Sequence, residues 1–347
     1  MKKIIFTLLF SLTIGVTLSW AGNPDRQGEA GAYELLLNPW ARSAGLHTLN
    51  TASIFGVESL RLNPAGLVRI NSLEVALSRA NYLRGTGISM NALGLSSKVG
   101  ENGSFGFSIM AMDFGDIEVT TTNQPEGTGA TFSPNFYNIG LSYAHIFENK
   151  VSVGITLRAI SQALATVNAF GFAIDAGIQY VTGEDDNFKF GISLRNVGSP
   201  MRFSGEGLST QRPSPNGSYE LTVDQRSASF ELPSTLNIGM SYDFLFGETH
   251  RLTALANFTS NSFSRDNLGA GLEYSLLDRF QLRAAYRYEM GVDNVSEEPI
   301  YTGLSAGASV EFPLSKDNKD TRVGIDYAYR TTKVWDGTHN IGLRFSF

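Results

Sequence analysis

The sequence predicts an all-β fold, a 14-stranded antiparallel transmembrane β-barrel with an N-terminal luminal plug. Three observations carry it. From about residue 72 to Phe347, apolar residues recur at every second position. The links between the implied strands are short after every even-numbered strand, and both long links follow odd-numbered ones. The last stretch alternates Ile341, Leu343, Phe345 and Phe347 with Asn340, Gly342, Arg344 and Ser346, so the chain stops on an aromatic residue.

The chain opens with a secretory leader. Lys2 and Lys3 precede a mostly apolar run from Ile4 to Trp20, and Ser19-Trp20-Ala21 places small residues at the −3 and −1 positions of a cut before Gly22. Residues 1–21 are therefore read as a signal peptide, too short for a membrane span. No Cys occurs in the chain, which removes lipid attachment at a new N-terminal Cys, disulfides and thiolate metal sites. The mature chain keeps 25 basic against 33 acidic residues, a net charge of −8. Nucleic acid is excluded as a partner, since phosphate binding needs a basic face. No later window holds about 18 consecutive apolar residues, so helical spans are not expected.

Residues 22–71 lack the two-residue period. Asn38-Pro39 breaks an extended start, and Trp40 to Ile70 mixes small residues with scattered charges. Leu35, Leu36, Leu37, Trp40, Leu46, Ile54, Phe55, Leu60, Leu62 and Leu67 make the stretch too apolar for a solvated tail. The interior of a 14-stranded barrel is wider than one layer of side chains fills. A plug, or hatch, is the expected role of this segment.

The barrel is expected over residues 72–347, with strands near 72–82, 87–98, 103–115, 134–147, 150–162, 166–181, 187–196, 233–246, 250–260, 265–276, 279–290, 300–312, 320–331 and 338–347. In the clearest case Phe280, Leu282, Ala284, Tyr286, Tyr288 and Met290 share one face, and Gln281, Arg283, Ala285, Arg287 and Glu289 share the other. A helix would repeat its apolar residues at three and four. Most of these runs exceed the roughly 5–6 residues usual in soluble sheets and suit a tilted bilayer crossing. The long links 116–133 and 197–232 fall on the side opposite the short turns, which are periplasmic in bacterial barrels. Outer-membrane lipids are then partners of the outward face, and the expected location is the Gram-negative outer membrane.

Catalytic and metal chemistry is not legible. His47, His145, His250 and His339 stand on separate elements, none at metal-ligand spacing from another. No cofactor is implied, and no enzymatic activity is expected. Asp185-Asp186 and Asp317 to Asp320 read as solvated turn charges. On the inward face, Arg158, Arg195, Arg283, Arg287, Arg322, Arg330 and Arg344 share the lumen with Asp175, Asp243, Glu273, Glu289, Glu311 and Asp326. This set is either a polar conduit or, the preferred reading, a salt-bridge lattice that fixes the plug and braces the wall.

Four segments carry a family resemblance. Ala41-Arg42-Ser43-Ala44-Gly45 and Gly56-Val57-Glu58-Ser59-Leu60-Arg61-Leu62-Asn63-Pro64-Ala65-Gly66-Leu67, followed by the loop from Asp113 to Pro134 and by Gly140-Leu141-Ser142-Tyr143-Ala144, resemble the PorV/PorQ family of type IX secretion-associated barrels. That family is itself similar to the FadL-type transporters of hydrophobic compounds. Where the family has Gly-Gly after its Ala-Arg motif, this chain has His47-Thr48. The resemblance assigns Arg42, Asn63, Pro64 and Gly66 to a plug motif. It also implies a barrel that binds partners of a secretion apparatus, or secreted cargo, through its outer loops. Loop 197–232, with Met201, Phe203, Pro213 and Tyr219, is the first candidate for those contacts and 116–133 the second. Two other readings stand beside it. One is FadL-like passage of a hydrophobic ligand past Trp40 and Leu62, through a kinked strand. The other is a passive structural barrel.

Overall fold

Alternation of apolar and small or polar residues forces each strand to show one face to lipid and the other to the lumen, and the sheet closes on itself to leave no unpaired edge. The structure, a computed structural model, describes residues 24–148, 150–247, 249–292, 298–314 and 321–347. The leader at 1–21 and the acidic turn Asp317 to Asp320 lie outside the described residues. Fourteen antiparallel strands form a closed barrel. They are β1 (Leu73–Asn81), β2 (Ser89–Val99), β3 (Gly103–Asp113), β4 (Asn135–Phe147), β5 (Val151–Leu164), β6 (Val167–Thr182), β7 (Phe188–Gly198), β8 (Thr235–Phe246), β9 (His250–Asn261), β10 (Asn267–Leu276), β11 (Phe280–Glu289), β12 (Tyr301–Pro313), β13 (Arg322–Thr332) and β14 (Thr338–Ser346). Every expected strand is present, its ends within two residues of the sequence reading.

Neighbours in sequence are neighbours in the sheet, and β14 closes on β1 from Glu74↔Ser346 to Asn81↔His339. Register runs unbroken along most seams, including both seams of β3. Among the described residues it shifts between Ile174 and Ala176 where β6 meets β7, and between Tyr301 and Ser305 where β12 meets β13. Exposed Leu77, Leu93, Phe107, Leu141, Leu157 and Phe172 clothe the outside. Three of the four histidines sit with tyrosines near the strand ends, His145 with Tyr143, His250 with Tyr274 and His339 with Tyr327. Polar-tipped rings of this kind suit the membrane–water boundary.

The long links carry small sheets of their own. Ile117–Glu118 pairs with Thr131–Phe132, Met201–Arg202 with Ser229–Phe230, and Ser209–Pro213 with Glu220–Asp224. Residues 24–71 run along the inward side of the barrel, and 35–70 are mostly buried against the strands' inner faces. Their first part is at the long-loop mouth, where Ala30 bridges Glu231 and Arg26 stacks 4.3 Å from the centre of the Phe263 ring. Their last part leaves at the short-turn end, where the Ser72 amide donates to the Phe347 carbonyl at 3.0 Å.

Candidate functional site: the filled lumen and the outer loops

The inner segment is built from short turns. Helix α1 (Ala41–Gly45) begins after Trp40, and α2 (Ser59–Leu62) runs into a 3₁₀ turn at Pro64–Val68. Asn63 is extended, as a residue before proline must be, and Pro64 starts the turn with a φ already suited to it. The Asn63 Oδ1 accepts the Ala65 amide at 3.2 Å, and its Nδ2 donates to the carbonyls of Thr51 at 3.0 Å and Ile178 of β6 at 3.1 Å. Gly66 is required because a Cβ there would stand 2.2 Å from the Ile54 carbonyl oxygen. Arg42 donates to the Phe55 carbonyl at 3.2 Å, stacks on the Phe55 ring and lies 3.4 Å from Glu58.

Two carboxylates to which the sequence reading gave no role complete this part. Glu58 accepts the amides of Arg42 and Ser43 at the start of α1, at 3.2 and 2.9 Å. Glu74 of β1 accepts the Val57 amide at 2.8 Å and lies 4.0 Å from Arg42. The signal for Glu74 was present, since it alternates with Ala76, Ser78 and Ala80 on the inward face.

The wall is cut to fit this segment. A Cβ on Gly94 would meet Val57 at 2.2 Å, on Gly154 the Pro64 backbone at 2.4 Å, on Gly191 the Thr51 carbonyl at 2.6 Å, and on Gly269 Leu49 at 2.5 Å. Inward arginines then tie the wall to the segment's carbonyls. Arg158 reaches Leu60 at 2.5 Å and Asp175 at 2.6 Å, Arg195 reaches Leu35 at 3.3 Å, and Arg330 reaches Asn38 at 3.4 Å while lying over the Tyr301 ring. Gln179 and Asn340 add donors to Ile54 and Pro39, at 2.9 and 2.7 Å. Arg61 of the segment, facing Arg158 and Arg195, is held well below the usual guanidinium range by burial and by those two charges, against Asp175.

Other inward charges tie strand to strand. Arg283 donates to Glu273 and Ser309, both at 2.5 Å, and to Gln281 at 3.0 Å; Ser309 bonds Asp326, and Arg344 lies 3.8 Å from Asp326. Arg287 lines a recess beside Glu289 and Tyr301 near the long-loop end. His47 is buried against Tyr301, ring to ring at 5.8 Å. Burial, then the charges of Arg287 and Arg330, push its pKa well below the ordinary value. His47 and Thr48 hold φ of 50° and 65°, a left-handed conformation that glycine adopts at less cost.

The residues expected on the long loop divide. Met201 is 1% exposed and packs among Leu35, Phe136 and Ile160. It anchors the base of the loop and offers no surface to a partner. Phe203 is half-buried against Phe230, at 5.7 Å. Pro213 and Tyr219 stand on the exposed hairpin, Tyr219 at 60% exposure. Among the described residues no group of three metal-capable side chains forms.

Comparisons with known proteins agree with this geometry. In fold, the barrel is similar to the Ralstonia pickettii toluene transporter TbuX, with TM-score 0.54 and 13% identity over 89% of this chain and 97% of that one. It is similar to the Pseudomonas putida toluene transporter TodX at TM-score 0.54 and 13% identity, over 89% and 97%. A Pseudomonas aeruginosa FadL homologue gives TM-score 0.52 and 14% identity, over 89% and 96%. No curated protein matches the chain. Nothing in the comparisons singles out PorV or PorQ; the family model that matches, over residues 85–345, is a different one associated with the same secretion system. The chain belongs to the family of type IX secretion system membrane proteins PorP/SprF.

Proposed function

We propose that this barrel serves the type IX secretion apparatus in the bacterial outer membrane as a closed, partner-binding component. Its N-terminal segment acts as a fixed plug, and its outer loops engage secreted cargo or another component of the apparatus. In the finer, PorV-like form of this reading the ligand is the C-terminal signal domain of cargo. The barrel binds and does no chemistry. The carrying observation is the seating of residues 35–70, which are mostly buried against the inward strand faces and are held by Arg158, Arg195 and Arg330. The exposed hairpin Ser209–Pro213 with Glu220–Asp224 offers the contact surface. The test is affinity capture from outer membranes with hairpin residues 209–224 replaced by a short Gly-Ser linker. Loss of captured cargo or channel components is expected, and undiminished capture counts against the hairpin.

One observation favours a second reading, passage or storage of a hydrophobic ligand. An apolar cavity of about 490 Å³ at the long-loop mouth is lined by Leu37, Ile88, Met112, Phe114, Phe203 and Phe230, with Glu34 at its side. Glu34 is hydrogen-bonded by Gln162 at 3.1 Å, and burial raises its carboxyl above the ordinary range. A hydrophobic compound co-purifying with the protein, and lost on Phe114→Ser, supports this reading; a cavity that extracts clean counts against it.

A further inference from the structure

At the short-turn end the inner segment and the wall enclose a vestibule. Two recesses of about 200 and 380 Å³ share Phe55, Arg69, Arg251, Gln281 and Glu311 in their walls. Most charges around them are matched. Lys189 is bonded to Asp243, Arg283 to Glu273, Arg344 to Glu311, and Arg42 lies against Glu58.

Arg69 is different. Its Nε and Nη2 are out of contact with solvent and make no hydrogen bond, and the carboxylate that acts on it is Asp186 in the β6–β7 turn. Buried donors left without acceptors are costly, so an acceptor supplied from outside would be held. Arg251 adds a second guanidinium whose partner Asp278 is 3.5 Å away and largely exposed. Phe55, 42% exposed, presents an aromatic ring in the same recess.

We propose that this vestibule binds a peptide segment carrying a carboxylate next to an apolar or aromatic side chain, presented from the short-turn side. Arg69 takes the carboxylate through its planar fork, and the Phe55 ring takes the apolar side chain. Three features select this chemistry. The opening faces the end that is periplasmic in bacterial barrels. Glu58, Glu273 and Glu311 in the lining are already paired, which leaves Arg69, with the loosely paired Arg251 beside it, for an incoming carboxylate. The exposed ring has no role in binding a small inorganic anion. The site lies at the opposite end from the outer hairpin, so it stands or falls separately from partner capture there.

The test uses the full-length protein in detergent and fluorescence anisotropy of two labelled tripeptides. One is Gly-Phe-Glu amide, which carries a single carboxylate, and the other is its neutral counterpart Gly-Phe-Gln amide. The acidic peptide is expected to bind, the neutral one about tenfold more weakly or worse, and Arg69→Gln to reduce binding of the acidic peptide by about the same factor. Arg69→Lys restores part of it, and Phe55→Ala weakens both peptides. Folding of each variant is checked by heat-dependent gel mobility; if Arg69→Gln does not fold, Arg251→Gln and the neutral peptide decide. Absence of binding by the native protein, equal binding of the two peptides, or displacement by inorganic phosphate at equal concentration overturns the proposal.

Discussion

Asn63 of the inner segment occupies the place where a side chain of Gly177 in β6 would stand, its Oδ1 2.0 Å from the ideal Cβ position. The same asparagine bonds the next carbonyl of that strand, Ile178, at 3.1 Å. Gly177→Ala must therefore push the segment off the wall. The expected cost is about 1–3 kcal/mol of stability, with the segment becoming a protease target. Gly342→Ala is the control, because its Cβ would meet only ordinary contacts, the nearest being Asp326 Cβ at 3.4 Å. Thermal melting and limited proteolysis read the difference, and equal behaviour of the two variants would refute the seating argument.

Asp175 serves three cations. It pairs with Arg158 at 2.6 Å, accepts the Asn196 amide at 2.7 Å, and offsets the charges of Arg61 and Arg195. Asp175→Asn keeps the shape and removes the charge, leaving buried guanidinium groups uncompensated. A loss of about 3–5 kcal/mol is expected, partly recovered by Arg158→Met in the same chain. Trp40, buried in the inner segment, supplies a fluorescence signal for the melt.

Stability should fall below about pH 6.5 through His47. Its folded pKa is depressed from 6.5 by burial and then by Arg287 and Arg330. The unfolded chain therefore takes up a proton that the native lumen refuses. The contribution is absent above pH 6.5 and grows by roughly 1.4 kcal/mol per pH unit as pH falls toward the folded value. His47→Asn should flatten the dependence between pH 6.5 and 5. An unchanged slope would place the titration elsewhere.

The two ends of the long loop should respond differently. Met201→Ala empties a fully buried position at the loop base and should cost about 2–5 kcal/mol. Tyr219→Ala removes an exposed ring and should leave the melt unchanged while weakening partner capture. Capture unaffected by Tyr219→Ala moves the contact off this hairpin.

Thr48 holds φ of 65°, a conformation that costs a β-branched residue more than glycine. Thr48→Gly should therefore stabilise the protein by about 0.5–1 kcal/mol, even after glycine's greater unfolded-state entropy. A lower melting temperature would show that the Thr48 side chain contributes more than its strain costs.

The wall was legible in the sequence because its information is local. Alternation such as Phe280 to Met290 states which face a residue occupies, and link lengths state at which end each strand turns. The inner segment has no period, so its apolar content was readable and its path was not. Arg42, Asn63, Pro64 and Gly66 stood out as a motif, but their partners Glu58, Glu74, Thr51 and Ile178 follow only from the tertiary packing. Met201 looked like one more apolar loop residue until Gly171 of β6 opened a place for it, its Cγ 2.5 Å from that glycine's ideal Cβ. Arg69 carried no signal at all, since a guanidinium whose Nε and Nη2 lack acceptors is recognised only by what is missing around them.

The closing seam has a mechanical meaning. Glu74 stands on β1 in register with Ser346 of β14, and the same side chain accepts the Val57 amide. One residue therefore belongs both to the joint that makes the wall continuous and to the contents of the bore. A tug on the inner segment at Val57 is passed straight to the joint, and a joint that slackens loses a carboxylate grip on what it encloses.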